Sequence, residues 1–319
     1  MSARVDIIIP TYNGYQHLNH CLTALQAQTY DGFRVLVVDD ASTDGTHERL
    51  HCDWRQVDLL VLPRNSGLVT AVNAGLALSN AEYVALLNND TEPERGWLAA
   101  LVDALDRHPN AGAIASKLLL FDHRDTFHAA GDIFTRSGRP GNRGVWQHDT
   151  GQHDCEEEVF GACAGAALYR RSALDDVARI DGAILDPGFF MYCEDVDLSW
   201  RLRLRGYSIV YAPAAVVYHH LSATGGGPLA SYYVARNTLN VIAKDLPGPL
   251  LWKNLTAIVS DQARDAWHTL PHLREPAARA RLRGILAGLR SAPLMLAKRR
   301  KIQRNRRVRT SDIERFLER

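Results

Sequence analysis

The 319 residues are 46% apolar and 23% charged, the composition of a soluble protein with enough chain to bury a sizeable core. The net charge of +1 hides an asymmetry: Pro276 to Arg309 holds twelve Arg or Lys and no acid, which leaves the remainder at −11. The one long stretch without Asp, Glu, Lys or Arg, Gly206 to Ala235, is interrupted by Pro213, two histidines and three glycines, which excludes a membrane span.

In chain order, "VDIIIP" is a short apolar strand ended by Pro10, and Leu18, Cys21, Leu22 and Leu25 then recur at helical spacing. "RVLVVDD" is a second strand, followed by a helix that Ser42 or Thr43 is able to cap. "VDLLVLP" is a third strand, "GLVTAVNAGLALS" a small-residue helix and "EYVALLNND" a fourth strand, with "DTEPE" able to open a helix. Strands alternating with helices in this way predict parallel pairing in a doubly wound α/β sheet.

"WLAALVDALDRH" then predicts a helix and "AGAIASKLLLF" a strand, before a polar, Gly-rich stretch from Asp122 to Glu158 with little periodicity. "ACAGAALYRR" reads as a strand, "EDVDLSWRLRLRG" as a helix stopped by Gly206, and "SIVYAP" and "AAVVYHH" as two short strands. From Leu229 onward the pattern is helical and basic, closing on a short helix opened by a capping box from Ser311 to Glu314.

Ligands of such sheets bind outside the carboxyl ends of the strands. The polar strand ends Pro10 to Asn13, Asp39 and Asp40, Arg64 and Asn65, and Asn88 to Asp90 are therefore expected to meet at one crevice. Two acidic strand ends there repel each other unless a cation or a ligand donor lies between them, and Asp90 reads as an oxygen ligand for Mg²⁺ or Mn²⁺ shared with a diphosphate. "EDVDL" sets Glu194, Asp195 and Asp197 in one helical turn after the aromatic-rich "GFFMYC". One acid is enough to favour a helix N-terminus, so a candidate general base lies among the three. Of His219 and His220, adjacent on a strand, at most one faces the crevice, where an imidazole would complete a metal site with Asp90.

"IIIPTYNG", "VVDDASTDGT", "RNSGLVTAVNAGL", "LLNNDTEP", "FFMYCEDVDLSWRLRLRGY" and "VVYHHLSATGG", in this order and spacing, resemble the family 2 inverting glycosyltransferases, and within them a bacterial rhamnosyltransferase-like branch. The resemblance runs from about Val5 to Gly226, and "YYVARNTLNVI" extends it weakly. It implies a GT-A (Rossmann-like) fold, a mixed, mostly parallel sheet flanked by helices, over residues 1–226, with a helical, basic region over 227–319. It also implies that Pro10, Thr11, Tyr12 and Asn13 line a nucleotide pocket, that Asp39 contacts the base, and that Arg64, Asn65, Gly67 and Asn73 lie beside the nucleotide and sugar. "NND" occupies the place of a D-x-D motif, so the resemblance puts Asn88 and Asn89 at the donor and Asp90 on the metal. Asn88 stands where the pattern has its first acid, which weakens the expected metal site. Asp195 corresponds to the catalytic base with Glu194 as its neighbour, and His219 is the better match to the remaining metal ligand, with His220 as its alternative.

The implied reaction moves a sugar, rhamnose from dTDP-rhamnose or a hexose from a UDP-sugar, to a hydroxyl of a glycan or lipid-linked saccharide. The alternative in another class is a nucleotide-sugar-binding protein with a decayed site. A dinucleotide-dependent oxidoreductase is set aside because "PTYNGY" stands where GxGxxG would follow the first strand. Leu282, Ile285, Leu286 and Leu289 form an apolar stripe flanked by Arg279, Arg281, Arg283 and Arg290, as in helices that lie on anionic membranes. Nucleic acid is not expected, because aromatic residues do not interleave the basic run; a homo-oligomer is the remaining partner. "VDIIIP" within four residues of Met1 leaves no room for a signal peptide. The five cysteines form no CxxC pair, so a reduced cytoplasmic setting, at the inner face of a membrane, is expected.

Overall fold

The computed structural model describes residues 3–220 and 227–318. Leu221 to Gly226, the end of the sixth motif and the expected boundary, lie outside the described residues. The N-terminal half alternates as expected: β1 (Val5–Thr11), α1 (Tyr15–Gln26), β2 (Phe33–Asp39), α2 (Thr46–Asp53), β3 (Asp58–Val61), α3 (Leu68–Leu78) and β4 (Tyr83–Leu87). These strands are parallel in the order β3-β2-β1-β4. The two-residue period of β1 divides the core: Ile7 and Ile9 join Leu18, Leu22, Val37 and Trp97 on one face, and Ile8 joins Val38, Val72 and Leu86 on the other.

Several elements differ from the sequence expectation. Pro10 lies inside β1, opposite Val38, and the strand ends one residue later. The cap of α2 is Gly45, not Ser42 or Thr43; Ser42 instead donates to Asp39, and Asp44 Oδ1 accepts from Thr46 N at 3.0 Å. "DTEPE" opens no helix. Thr91–Pro93 forms a short strand, β5, before α4 (Trp97–Arg107) and the long, fully buried β6 (Ala111–Leu120).

The stretch from Asp122 to Glu158 is ordered into β7 (Phe127–Ala130), β8 (Asp132–Thr135), β9 (Pro140–Asn142) and β10 (Glu157–Glu158). Strands of two to four residues are too short to show a period, which is why the sequence reads as patternless. β7 folds back antiparallel on β6. Next come β11 (Ala166–Arg170), the unexpected α5 (Arg171–Asp181) with Ala173, Leu174 and Val177 on its buried side, and α6 (Glu194–Leu204). The two strands expected around Pro213 are one, β12 (Ser208–His219), because a register shift between Ala212 and Val216 accommodates the proline. β12 runs parallel to β6 and antiparallel to β5 and β10, completing a mixed sheet in the order β10-β12-β6-β11-β4-β1-β2-β3.

Helices α7 (Gly227–Lys244), α8 (Gly248–Lys253), α9 (Leu255–Thr269), α10 (Pro276–Arg304) and α11 (Thr310–Glu314) follow, and β13 (Leu317–Glu318) returns to pair with β8. The cap of α11 is Arg309, whose N–H donates to Asp312 at 3.0 Å, so the box begins two residues before Ser311. Val241, Ile242, Leu250, Ile258 and Ile302 share one apolar cluster with Val38 and Trp200. The helical region thus completes the core of the sheet domain. On α10 the expected stripe divides. Gly284 and Gly288 turn to α7, Leu282 and Ile285 are half-buried, and Leu286 and Leu289 face outward. Among the described residues no helix is long and apolar enough to cross a membrane.

Candidate active site

The carboxyl ends of β1, β2 and β4 do meet, and their side chains divide the work. Asp40 accepts from the N–H groups of Ser66 and Gly67, both at 2.8 Å, and so fixes the loop entering α3; burial raises its pKa against those bonds. Gly67 has φ +87°, and a Cβ on it would lie 2.5 Å from the Phe190 ring. Asp39, fully buried, spends Oδ1 on Ser42 and leaves Oδ2 without a hydrogen-bond partner among the described residues. A buried carboxylate oxygen without a donor is costly, and a ligand N–H or O–H would satisfy it. Asn13 Oδ1 accepts from Thr43 N at 2.7 Å, which ties the β1 end to the β2 loop, while Tyr12, Arg64 and Asn65 are exposed at the rim.

Four of the residues expected at the ligand make contacts within the protein. Asn89 donates to Thr11 Oγ1 at 2.9 Å and both are buried, so the pair supports the crevice floor. Asn73 donates to Leu185 O at 2.7 Å and accepts from Leu185 N at 3.0 Å, which commits its amide to the backbone of another loop. Pro10 is buried within its strand.

The pairing of β5 with β12 sets Thr91 opposite His219, and His220 N donates to Asp90 O at 2.9 Å. This brings His219 Nε2 to 3.1 Å from Asp90 Oδ1. His220 turns away and stacks on Phe121, ring centroids 3.5 Å apart. Adjacent ligands on an octahedral ion at roughly 2.0–2.1 Å are about 3 Å apart, so the two donor atoms suit a divalent cation. Among the described residues no group of three or more His, Cys, Asp or Glu is placed to hold an ion. Asp90 and His219 would therefore hold Mg²⁺ or Mn²⁺ only together with ligand oxygens, as such ions do when shared with a diphosphate. Asn88, half-buried beside them, supplies an amide in place of a third acid.

Across the crevice, the three first-turn acids of α6 have different surroundings. Asp197 is fully buried and faces Lys244 at 2.6 Å and Arg201 at 2.6 Å, which hold it below the usual carboxylate range against the effect of burial. Glu194 is buried with Oε2 unpartnered among the described residues, and burial followed by the charge of Asp195 pushes it up to about 8. Asp195 alone keeps part of its surface open. It accepts from Ala164 N at 3.2 Å and Val196 N at 2.8 Å, and burial raises its pKa despite those bonds. Residues 164 and 165 join the two sides of the crevice. Ala164 holds Asp195, Gly165 O accepts from Asn88 N at 2.9 Å, and the Cβ position of Gly165 is 3.8 Å from His219 Cε1.

The loop before α6 is strained, with Phe190, Tyr192 and Cys193 at φ +67°, +64° and +61°. Each such residue costs about 1–3 kcal/mol and needs over-determined surroundings. Asn237, fully buried on α7, provides them by donating to the carbonyls of Phe189, Met191 and Tyr192 at 3.1, 2.8 and 2.8 Å. Phe190 also stacks on Tyr233, and its carbonyl accepts from Val69 N at 3.0 Å.

Sequence reasoning did not single out Asn237, His128 or Asp132. His128 Nδ1 lies 3.0 Å from His219 Nδ1, and burial, then His219, pushes its pKa down to about 3. Asp132 accepts from Asn142 at 2.9 Å, has its other oxygen unpartnered among the described residues, and is raised well above the usual range by burial and then by Asp195. Both lie in the stretch without readable periodicity. The signal available for Asn237 was its place in "YYVARNTLNVI".

Residues 6–178 match the model of the family described as Glycosyl transferase family 2. The chain is 30% identical over 260 residues to the N-acetylglucosaminyl-diphospho-decaprenol L-rhamnosyltransferase of Mycobacterium tuberculosis, an alignment covering 74% of this chain and 82% of that protein. Among solved structures, GalNAc-T7 with UDP, GalNAc and Mn²⁺ superposes with a TM-score of 0.61 at 16% identity, over 75% of this chain and 47% of that one. Staphylococcus aureus TarS 1-349 does so with 0.58 at 19%, over 98% and 91%. Both share the GT-A architecture of a mostly parallel sheet flanked by helices.

Glu194, raised on folding, favours the folded state while it is protonated; that contribution is present at low pH and is lost as pH rises through about 8. The melting temperature is therefore expected to fall as pH rises from about 5 to about 8 and to level off above that, and Glu194→Gln, which stays neutral, to flatten the fall. Parallel declines for the two proteins in a fluorimetric pH series would contradict the assignment.

Proposed function

The chain belongs to glycosyl transferase family 2, and on that premise we propose that it moves rhamnose from dTDP-rhamnose to a hydroxyl of a lipid-linked or cell-envelope saccharide, with inversion at the anomeric carbon. The observation that carries this reading is the division of the α6 acids. One is paired, one is neutral, and Asp195 keeps part of its surface open and accepts from Ala164 N, next to Gly165, whose Cβ position lies 3.8 Å from His219 Cε1. The sugar and the lipid-linked acceptor are supported by the similarity to the N-acetylglucosaminyl-diphospho-decaprenol L-rhamnosyltransferase of Mycobacterium tuberculosis.

The unpartnered Asp39 oxygen accepts from the nucleotide base, and Arg64 and Asn65 flank the donor at the rim. The acceptor hydroxyl gives its proton to Asp195 as its oxygen bonds the anomeric carbon and the bond to the diphosphate breaks on the opposite side. Burial raises the pKa of Asp195, which makes it a stronger base than a solvated aspartate. Glu194, neutral beside it, adds no charge that would hinder approach of the hydroxyl. Asp90 and His219 would hold Mg²⁺ or Mn²⁺, which would supply positive charge beside the departing diphosphate. One displacement needs no nucleophilic carboxylate, and Asp132, buried and with its pKa raised well above the usual range by burial and then by Asp195, is unsuited to be one.

The same reading gives the C-terminal helices a surface role. Trp252 and Trp267 are more than two-thirds exposed, and Leu270, Leu286, Leu289 and Leu294 are exposed too, in the part of the chain that carries the basic run. Apolar and aromatic side chains among arginines match an anionic lipid surface, where a lipid-linked acceptor would be presented.

Asp195→Asn is expected to reduce transfer by at least a hundredfold while donor affinity, measured by calorimetry, changes less than threefold, both orders of magnitude from general-base variants. Retention of more than a few per cent of the rate would remove Asp195 as the base. The intact chain is expected to co-sediment at low salt with vesicles containing phosphatidylglycerol and not with phosphatidylcholine alone. Equal sedimentation with neither, or a dimer by light scattering that covers the same leucines, would overturn the membrane role.

A further inference from the structure

Resting on the reading of Asp90 and His219 as the metal ligands, we infer that His128 is the positioning residue of that site, a hydrogen-bond partner that lets His219 exchange one tautomer for the other when an ion binds. The argument is one of counting hydrogens. His219 Nε2 lies 3.1 Å from Asp90 Oδ1 and His219 Nδ1 lies 3.0 Å from His128 Nδ1. A carboxylate only accepts, so without an ion the hydrogen of a neutral His219 sits on Nε2 and is donated to Asp90. Its Nδ1 is then a lone pair, and His128 must donate to it.

An ion at Nε2 reverses this. The nitrogen must offer its lone pair, the hydrogen of His219 moves to Nδ1, and it is donated to His128, which now accepts. The number of protons on the pair is unchanged; only their positions differ. An imidazole serves both states, because either ring nitrogen can carry the hydrogen.

A carboxylate at position 128 would accept in the loaded state but could not donate in the empty one, and would place a second negative charge near Asp90. The neighbouring elements favour a histidine that stays in place. His128 lies on β7, whose Ala129 and Phe127 pair with Leu118 and Leu119 of β6, and β6 pairs in turn with β12 through Leu120 and His219. The two imidazoles are thus fixed by a common strand, with ring centroids 4.8 Å apart. His219 is buried, which leaves water a poor substitute for the missing partner.

The test is Mn²⁺ binding by the intact chain, followed by electron paramagnetic resonance in the presence of dTDP or UDP, whichever stabilises the fold. His219→Ala reports on the metal site itself. If it binds Mn²⁺ as tightly as the wild type, the reading of Asp90 and His219 falls and this inference falls with it. With that control lost as expected, His128→Leu is expected to weaken Mn²⁺ at least about tenfold, the usual cost of removing a ligand's hydrogen-bond partner. His128→Asn, whose amide can donate and accept, is expected to stay within about threefold of the wild type.

Unchanged affinity in His128→Leu would overturn the inference. Equal loss in the leucine and asparagine variants, with unchanged melting temperatures, would overturn it too, because that pattern belongs to packing alone. Should the leucine variant not fold, ¹⁵N chemical shifts of wild-type His219 decide. The hydrogen is expected on Nε2 without ion and on Nδ1 with a diamagnetic Mg²⁺ and the same nucleotide, and a hydrogen that stays on one nitrogen in both states contradicts the exchange.

Discussion

A buried ammonium organises this molecule. Lys244, with no exposed surface, places Nζ 2.6 Å from Asp181, 2.7 Å from Asp186 and 2.6 Å from Asp197. Burial works against its charge, yet the carboxylates, Asp197 first, hold its pKa above the usual lysine range. Arg201 and Lys298 complete the cluster, so that three carboxylates face three cations. Asp245, buried beside them with both oxygens unpartnered among the described residues, is raised well above its usual range by burial and then by Asp197. Breaking such a buried arrangement by removing one partner costs about 3–5 kcal/mol, because the remaining charge is stranded. The cluster therefore fixes the geometry of α5, α6 and α7 relative to one another, since each contributes to it.

That fixed geometry is what allows the strained loop before α6 to persist. Asp186 anchors its beginning to Lys244, Asn73 holds Leu185, and Asn237 meets the carbonyls of Phe189, Met191 and Tyr192. The positive φ angles at Phe190, Tyr192 and Cys193 are stabilised by these contacts from α3 and α7. The outcome is an α6 that starts with its side chains aimed in different directions. Asp197 faces inward to the cations, Glu194 is enclosed, and Asp195 meets the crevice. Four consecutive letters, "EDVD", thus supply a structural ion pair, a neutral acid and a candidate base through surroundings alone.

The parts of this arrangement legible in the sequence were those with periodicity or strong local chemistry. The alternating strands and helices up to Leu87, the polar strand ends and the acidic start of α6 follow from spacing and residue type. The pairing of β5 with β12 was not legible, because three residues around Pro93 carry no period, yet that pairing is what carries Asp90 to His219. Asn73 and Asn89 look like ligand residues in sequence because the resemblance places their motifs beside the donor. The fold shows both amides used by neighbours, a matter of tertiary distance that no local pattern reports. His128 and Asp132 were hidden for a related reason: the short strands that present them are defined by their partners, β6 and β9, more than by their own letters.

The central claim is that one displacement occurs between Asp195 and a departing diphosphate on opposite sides of the anomeric carbon. It is tested most directly by the configuration of the sugar as it leaves the protein. The reducing sugar released from an α- or β-linked nucleotide donor by slow hydrolysis is followed by ¹H NMR before mutarotation. The account predicts that the first anomer seen is the inverted one. First appearance of the retained anomer would contradict it.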